Sequence, residues 1–239
     1  MVLTALLPVR CPVCGATGAA PCARCIALMR PAGPGPLPPG LDVCRSLVAY
    51  EGAAREAVAR LKYRNDRAAL AWLAAGMAAL MEPPVGVVVT WAPTSRRRRR
   101  RRGFDQAELL AAAVARRWGA PCRRLLDRPA GAPQTGMSLA ARRGGPSFVA
   151  APPPWPGHWA WPVVVVDDVV TTGSTLMAAA RVLRAAGSPW VGALTAARTP
   201  WMVATPPVPP PAVPLSVPVA PPDVETSLKF RAQLSDIQH

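Results

Sequence analysis

Nowhere in this chain of 239 residues do about eighteen apolar residues run together, so no stretch has the length of a membrane-spanning helix. Lysine is nearly missing, with only Lys62 and Lys229, and arginine therefore carries almost all of a formal net charge of +15. That balance points to anionic partners, a class that includes phosphates, nucleic acid and acidic surfaces. The preference for arginine, together with abundant Ala and Pro, also fits a GC-rich coding bias. No G-x-x-x-x-G-K and no G-x-G-x-x-G occurs, which excludes a Walker loop and a dinucleotide fingerprint. The opening M-V-L-T-A-L-L-P-V-R runs straight into cysteines, without a charged n-region or a cleavage-like site. A signal peptide is therefore not expected, and a cytoplasmic setting with reduced thiols is.

Four of the six cysteines form two C-x-x-C pairs, Cys11-P-V-Cys14 and Cys22-A-R-Cys25, with Gly15 and Gly18 between them. Each pair has the spacing that turns two thiolates toward one ion, and four soft ligands make a closed tetrahedral Zn²⁺ site. A closed site leaves no position for water, so the expected role is structural. Cys44 and Cys122 stand alone and read as buried or idle.

The length suits one domain of about 150 residues with appendages. The expected division is a zinc-binding segment over 1–30, a Pro/Gly-rich linker over 31–45, an α/β domain over 46–199 and a Pro-rich tail over 200–239. Within the domain, Ser46 to Tyr50 reads as a strand. Ala53 to Tyr63 reads as an amphipathic helix with Ala54, Ala57, Val58 and Leu61 on one face. Ala68 to Met81 follows as a second helix, stopped by Pro83-Pro84, with Trp72, Met77 and Met81 in the core.

Val85 to Trp91 is expected to be a buried strand, Gln106 to Trp118 a helix with Asp105 at its N-cap, and Cys122 to Leu126 a strand. Pro129 to Gly145 is irregular, and its length suits a mobile lid carrying Gln134, Ser138 and Arg142. Pro152 to Pro162 reads as a linker-like insertion. The helix from Leu176 to Ala186 ends at Gly187, and Trp190 to Ala197 is the last strand. The proline-dense tail is expected to be polyproline or without regular structure.

Two stretches carry chemistry. Val163 to Thr175 reads V-V-V-V-D-D-V-V-T-T-G-S-T. Four β-branched residues fit a buried parallel strand, and Ser174 or Thr175 is placed to cap the following helix. A hydroxyl-rich loop at a helix N-terminus suits a phosphate, and the two carboxylates suit sugar hydroxyls or a hard cation. A plain βα unit with a well-capped helix is the alternative. The second stretch is Arg96 to Arg102, seven consecutive arginines between a strand end and a helix start. A run of like charge is commonly a solvated face, but this position is where open α/β sheets bind ligands.

The Val163–Thr175 stretch resembles the phosphoribosyl-pyrophosphate (PRPP) signature of type I phosphoribosyltransferases. Further motifs extend the likeness: the C-x-x-C pairs, Ala49-Tyr50-Glu51-Gly52, Leu61-Lys62-Tyr63, Pro93 with Arg102-Gly103-Phe104-Asp105-Gln106, and Gln134-Thr135 with Arg142. In this order they resemble the ComF family of phosphoribosyltransferase-like proteins, associated with DNA uptake in competent bacteria, from about residue 11 to 199. The resemblance implies a mostly parallel twisted sheet flanked by helices, with a Cys₄ zinc segment in front.

It further implies that Asp167 and Asp168 bind the ribose hydroxyls, the second also helping to hold Mg²⁺. Thr171, Thr172, Gly173, Ser174 and Thr175 would cradle the 5-phosphate. Thr94, Arg101, Arg102 and Gly103 would lie on the pyrophosphate loop, under a hood containing Gln134, Ser138 and Arg142. The sequence departs from the family in having Asp105 where Asn is frequent. A second cysteine cluster is also shortened away, with Cys44 as a remnant. Two functions stay open on this reading. One is transfer of ribose 5-phosphate from PRPP to an unidentified acceptor. The other is a non-catalytic PRPP or nucleotide sensor that holds single-stranded DNA on its arginines, with Phe104 and the tryptophans as the few stacking partners.

Overall fold

The computed structural model describes residues 8–63, 67–129, 146–152 and 160–201. Its centre is a four-stranded parallel sheet built from β1 (Val43–Ala49), β2 (Val88–Trp91), β5 (Val163–Val170) and β6 (Val191–Arg198). The strand order is β1-β6-β5-β2, with Val43 opposite Gly192, Val163 opposite Val191 and Val88 opposite Val163. A small antiparallel pair, β3 (Leu126–Asp127) and β4 (Val149–Ala150), lies apart from it.

Strand β5 alternates its side chains between two cores, because successive residues of a strand point to opposite faces. Val164 and Val166 join a cluster with α2 (Gly52–Tyr63), α3 (Leu70–Ala78) and α5 (Gln106–Trp118). Val163 and Val165 join another with α6 (Ser174–Ala185), Leu125, Leu126 and Phe148. All four valines are fully buried. A sheet covered on both faces needs such a continuous apolar run, and that run is what made the strand legible.

The fold class expected from the sequence is the one observed. Helix α2 buries Ala54, Ala57, Val58 and Leu61 as its periodicity required, and Trp72 and Met77 lie in the core, with Met81 half-buried against it. Helix α5 has the expected bounds, and the Asp105 carboxylate caps it by accepting the Ala107 N–H at 3.2 Å. Other boundaries move. The first strand begins at Val43, inside the stretch read as linker, and β2 begins at Val88, leaving Val85 almost wholly exposed on a turn. Cys122 makes only a single bridge to Val89, and the strand read there is reduced to Leu126–Asp127.

The Pro/Gly-rich stretch is tied down. Ala49 N–H donates to the Arg30 carbonyl, Ala32 N–H to Leu47, and Asp42 accepts the Val191 N–H while pairing with Arg184. These contacts cover part of edge strand β1, which otherwise presents unpaired backbone groups. The tail beyond 201, the lid residues Gln134, Ser138 and Arg142, and most of the Pro152–Pro162 insertion lie outside the described residues. Among the described residues no helix is long and apolar enough to cross a membrane.

Candidate functional site

The arginine run is a helix, not the loop expected. Helix α4 spans Arg96–Arg102, begins where Ser95 Oγ accepts the Arg98 N–H at 3.4 Å, and ends at Gly103 with φ +79°. Three local facts outweigh the repulsion between like charges. Arginine is among the better helix formers, Ser is a preferred N-cap, and glycine takes the left-handed closing position without strain. Like-charge i,i+4 pairs cost only a few tenths of a kcal/mol each, and cations in the last turn are favoured by the helix dipole.

The helix forms one wall of a cleft of about 790 Å³ at the C-terminal ends of β2 and β5. Thr94, Arg97, Arg98, Arg101 and Arg102 line that wall, while Asp167, Asp168 and Thr175 line the opposite one. The sheet register explains the meeting: β2 and β5 are parallel neighbours with Trp91 opposite Val166, so the residues after β2 and the last residues of β5, Asp167 and Asp168 among them, come to the same end. Arg102 is held in place by an N–H···O bond to Gln106 Oε1 at 2.8 Å, and Gln106 itself is 2% exposed.

Asp105 ties the residues before α4 to those after it. Its Oδ2 accepts the Thr94 N–H at 2.7 Å and its Oδ1 the Ala107 N–H, so one carboxylate fixes both the strand-end loop and the start of α5. Burial pushes its carboxyl up from the ordinary range, against the two N–H donors; Asp168 adds to the rise and Arg99 opposes it. Arg128 also lines the cleft, and its guanidinium is pushed down by burial and by the neighbouring charge of Arg98.

The turn before α6 differs from expectation. Neither Ser174 nor Thr175 is the N-cap; Gly173 is, at φ +77°, and no side chain makes a capping bond. Thr172 Oγ1 instead accepts a long 3.4 Å bond from the Ser174 N–H. Glycine is required twice at 173, since its φ is left-handed and an added Cβ would lie 2.8 Å from Pro38 Cγ. Thr171 and Thr172 are exposed, while Gly173 is buried beneath Pro38. Of the hydroxyl loop, Thr175 lines the cleft itself, and Gly103 faces a second cavity on the other side of α4.

Sequence reasoning placed the arginine run at the site but singled out only Arg101 and Arg102 of the four that line the cleft, and it missed Asp105 as a cleft carboxylate, Gln106 as the anchor of Arg102, and Arg128 as a lining residue. The i,i+4 spacing of Arg102 and Gln106 was a usable signal. Nothing local marks Arg128, which directly follows β3.

At the N-terminus, the sulfur atoms of Cys11, Cys14, Cys22 and Cys25 all lie within 4.8 Å of one another. The Cys14 and Cys22 sulfurs are 3.7 Å apart, close to the ~3.8 Å edge of a tetrahedron with metal–sulfur bonds of ~2.3 Å. Turn bonds from Cys11 N–H to Ala16 and from Gly15 N–H to Cys11 shape the first knuckle. Cys11 and Cys25 are buried, and Cys14 is exposed. Cys44 is not idle in a packing sense, since Arg198 donates to its sulfur at 3.2 Å.

Fold and cleft together define an α/β protein with a doubly covered parallel sheet, an anion-attracting cleft at its strand ends and a Cys₄ cluster in front. Two solved structures are similar over part of the chain. One, the allosteric regulatory enzyme of purine biosynthesis, matches 53% of this chain and 25% of its own at 24% identity, with a TM-score of 0.38. The other, glutamine PRPP amidotransferase from B. subtilis complexed with ADP and GMP, matches 52% of this chain and 25% of its own at 23% identity, with a TM-score of 0.38. The match thus spans about a quarter of the length of those chains. No family model matches this chain, and no curated protein does.

Proposed function

We propose that the cleft binds PRPP or another ribose-5-phosphate ligand, as the sequence resemblance to ComF-type phosphoribosyltransferase-like proteins implies. The observation that carries this reading is that two adjacent carboxylates, Asp167 and Asp168, line the same cleft as four arginines of α4 and Arg128. A ligand with hydroxyls at one end and phosphates at the other matches that division of charge. Asp167 and Asp168 take the ribose hydroxyls, the Thr171–Thr175 turn takes the 5-phosphate, and Thr94, Arg101 and Arg102 take the diphosphate. The first turn of α6 has no side-chain cap from Gly173, its Ser174 N–H making only a long 3.4 Å bond to Thr172 Oγ1, and a helix start of that kind suits a phosphate.

A hard cation fits the half-buried carboxylates beside phosphate oxygens, and Mg²⁺ bound there would add positive charge to the diphosphate. The chain's own contribution to transfer is electrostatic: the arginines neutralise charge that builds on the departing diphosphate. The acceptor is not identified, and a role in DNA uptake or nucleotide salvage follows from the resemblance alone. The four cysteines hold a structural Zn²⁺ on this reading, because their donor type and spacing suit a closed tetrahedral site.

Titration with PRPP and Mg²⁺ tests the ligand. The native chain binds, and an Asp167→Ala, Asp168→Ala double variant binds at least tenfold more weakly; equal affinities would reject the assignment. A second reading, single-stranded DNA on the exposed arginines, is favoured by the exposure of Arg96 to Arg101. It is weakened by Phe104, whose ring is already covered by the Arg67 guanidinium at 5.1 Å from its centroid. In a salt series, replacing Arg96 to Arg102 by Gln would flatten the log–log slope if those residues contact phosphates.

A further inference from the structure

Helix α4 has a second side. Arg96, Arg99 and Arg100 turn away from the Asp167–Asp168 cleft and line a separate cavity of about 480 Å³, together with Arg124 and Arg128. Five guanidinium groups thus surround one concavity. Asp105, which also borders it, has its carboxylate engaged by two backbone N–H groups, and Asp127 is paired with Arg124. Among the described residues Arg96, Arg99, Arg100 and Arg128 form no ion pair. Concentrated positive charge of this kind raises the local concentration of anions.

The shape narrows the choice. A cavity of about 480 Å³ lies in the usual range for small-ligand sites, whereas a polymer backbone is generally tracked along an open groove. The place of the cavity narrows it further, and this step rests on the function proposed above. In an in-line displacement the acceptor approaches the sugar carbon opposite the leaving diphosphate. Arg101 and Arg102 take the diphosphate on that reading, so a cavity on the far side of α4 lies on the leaving-group side and is not the acceptor's.

We propose that this outer cavity is a second site for a small, multiply charged phosphate anion, of which inorganic diphosphate is the simplest member. The two sites border common residues, Pro93, Thr94, Asp105 and Arg128. Filling one therefore brings negative charge to the other, and the two occupancies oppose each other.

Calorimetric titration of the full chain with inorganic diphosphate, at fixed ionic strength and without Mg²⁺, should show two equivalents of unequal affinity. Arg96→Gln with Arg100→Gln, both exposed side chains, should weaken one equivalent by roughly 10- to 100-fold, the range for losing charged hydrogen bonds. Arg97→Gln with Arg101→Gln should weaken the other, with circular dichroism showing that both variants fold. A single equivalent in the native chain, or two unaltered equivalents in the Arg96/Arg100 variant, would overturn the proposal. Displacement of the outer equivalent by oligo-dT at equal phosphate concentration would overturn its small-anion character. Failure of PRPP to bind a chain that still takes up two diphosphates rejects the function proposed above and leaves this site standing.

Discussion

Replacing Asp105 by alanine tests the logic of the cleft at its most connected point. The substitution removes the cap of α5, worth about 1 kcal/mol, and a hydrogen bond from the Thr94 N–H to a charged acceptor, about 1.5–3 kcal/mol. It also removes a carboxylate whose burial is unfavourable, so the net loss expected at neutral pH is smaller, about 1–3 kcal/mol. Urea unfolding of the native and variant chains at constant m-value measures it.

The pH dependence carries the sharper test. The carboxyl of Asp105 is raised in the folded chain, chiefly by burial. Its contribution is therefore fully present below the ordinary carboxylate range and declines as pH rises through the folded value. The stability gap between native and Asp105→Ala chains should shrink as pH rises from acid to neutral. A gap that widens over that interval, or one below about 0.5 kcal/mol throughout, would refute the argument that this buried carboxylate pins Thr94 to α5. Unpinning Thr94 should also lower affinity for PRPP more than it lowers stability of the sheet.

Three further outcomes are expected. Cys14→Ser should reduce bound zinc from one ion per chain toward none and make residues 8–30 sensitive to protease, while urea unfolding of the sheet changes little; a native chain purified without zinc would contradict the site. Gly173→Ala should cost about 1–3 kcal/mol through its left-handed φ and the 2.8 Å approach to Pro38, and should weaken phosphate binding at the turn; an unchanged unfolding midpoint would show that the turn relaxes freely. Cys122, whose thiol is pushed up to about 12 chiefly by burial and then by Glu108, should resist alkylation at pH 8 in the folded chain and react on unfolding; prompt labelling of the folded chain would count against its burial.

Local chemistry made much of this protein readable before its fold was known. The valine run of β5 declared a buried strand because a sheet covered on both faces favours a near-continuous apolar run. The spacing of Ala54, Ala57, Val58 and Leu61 declared the buried side of α2, and two C-x-x-C pairs declared the Cys₄ cluster, because each pattern expresses a geometry of neighbouring residues. The arginine run shows the converse: its charge suggests a loop, while Ser95 and Gly103, which begin and end the helix, decide its state.

What needed the folded chain was the meeting of distant parts. Parallel pairing of β2 with β5 places Arg101 and Arg102 opposite Asp167 and Asp168, although more than sixty positions separate them in sequence. Arg128, directly after β3, lines both cavities, and Pro38 of the supposed linker closes over Gly173. Periodicity and spacing record what each segment prefers. Which segments share a cleft, and which carboxyl or guanidinium is desolvated there, depends on strand order and burial.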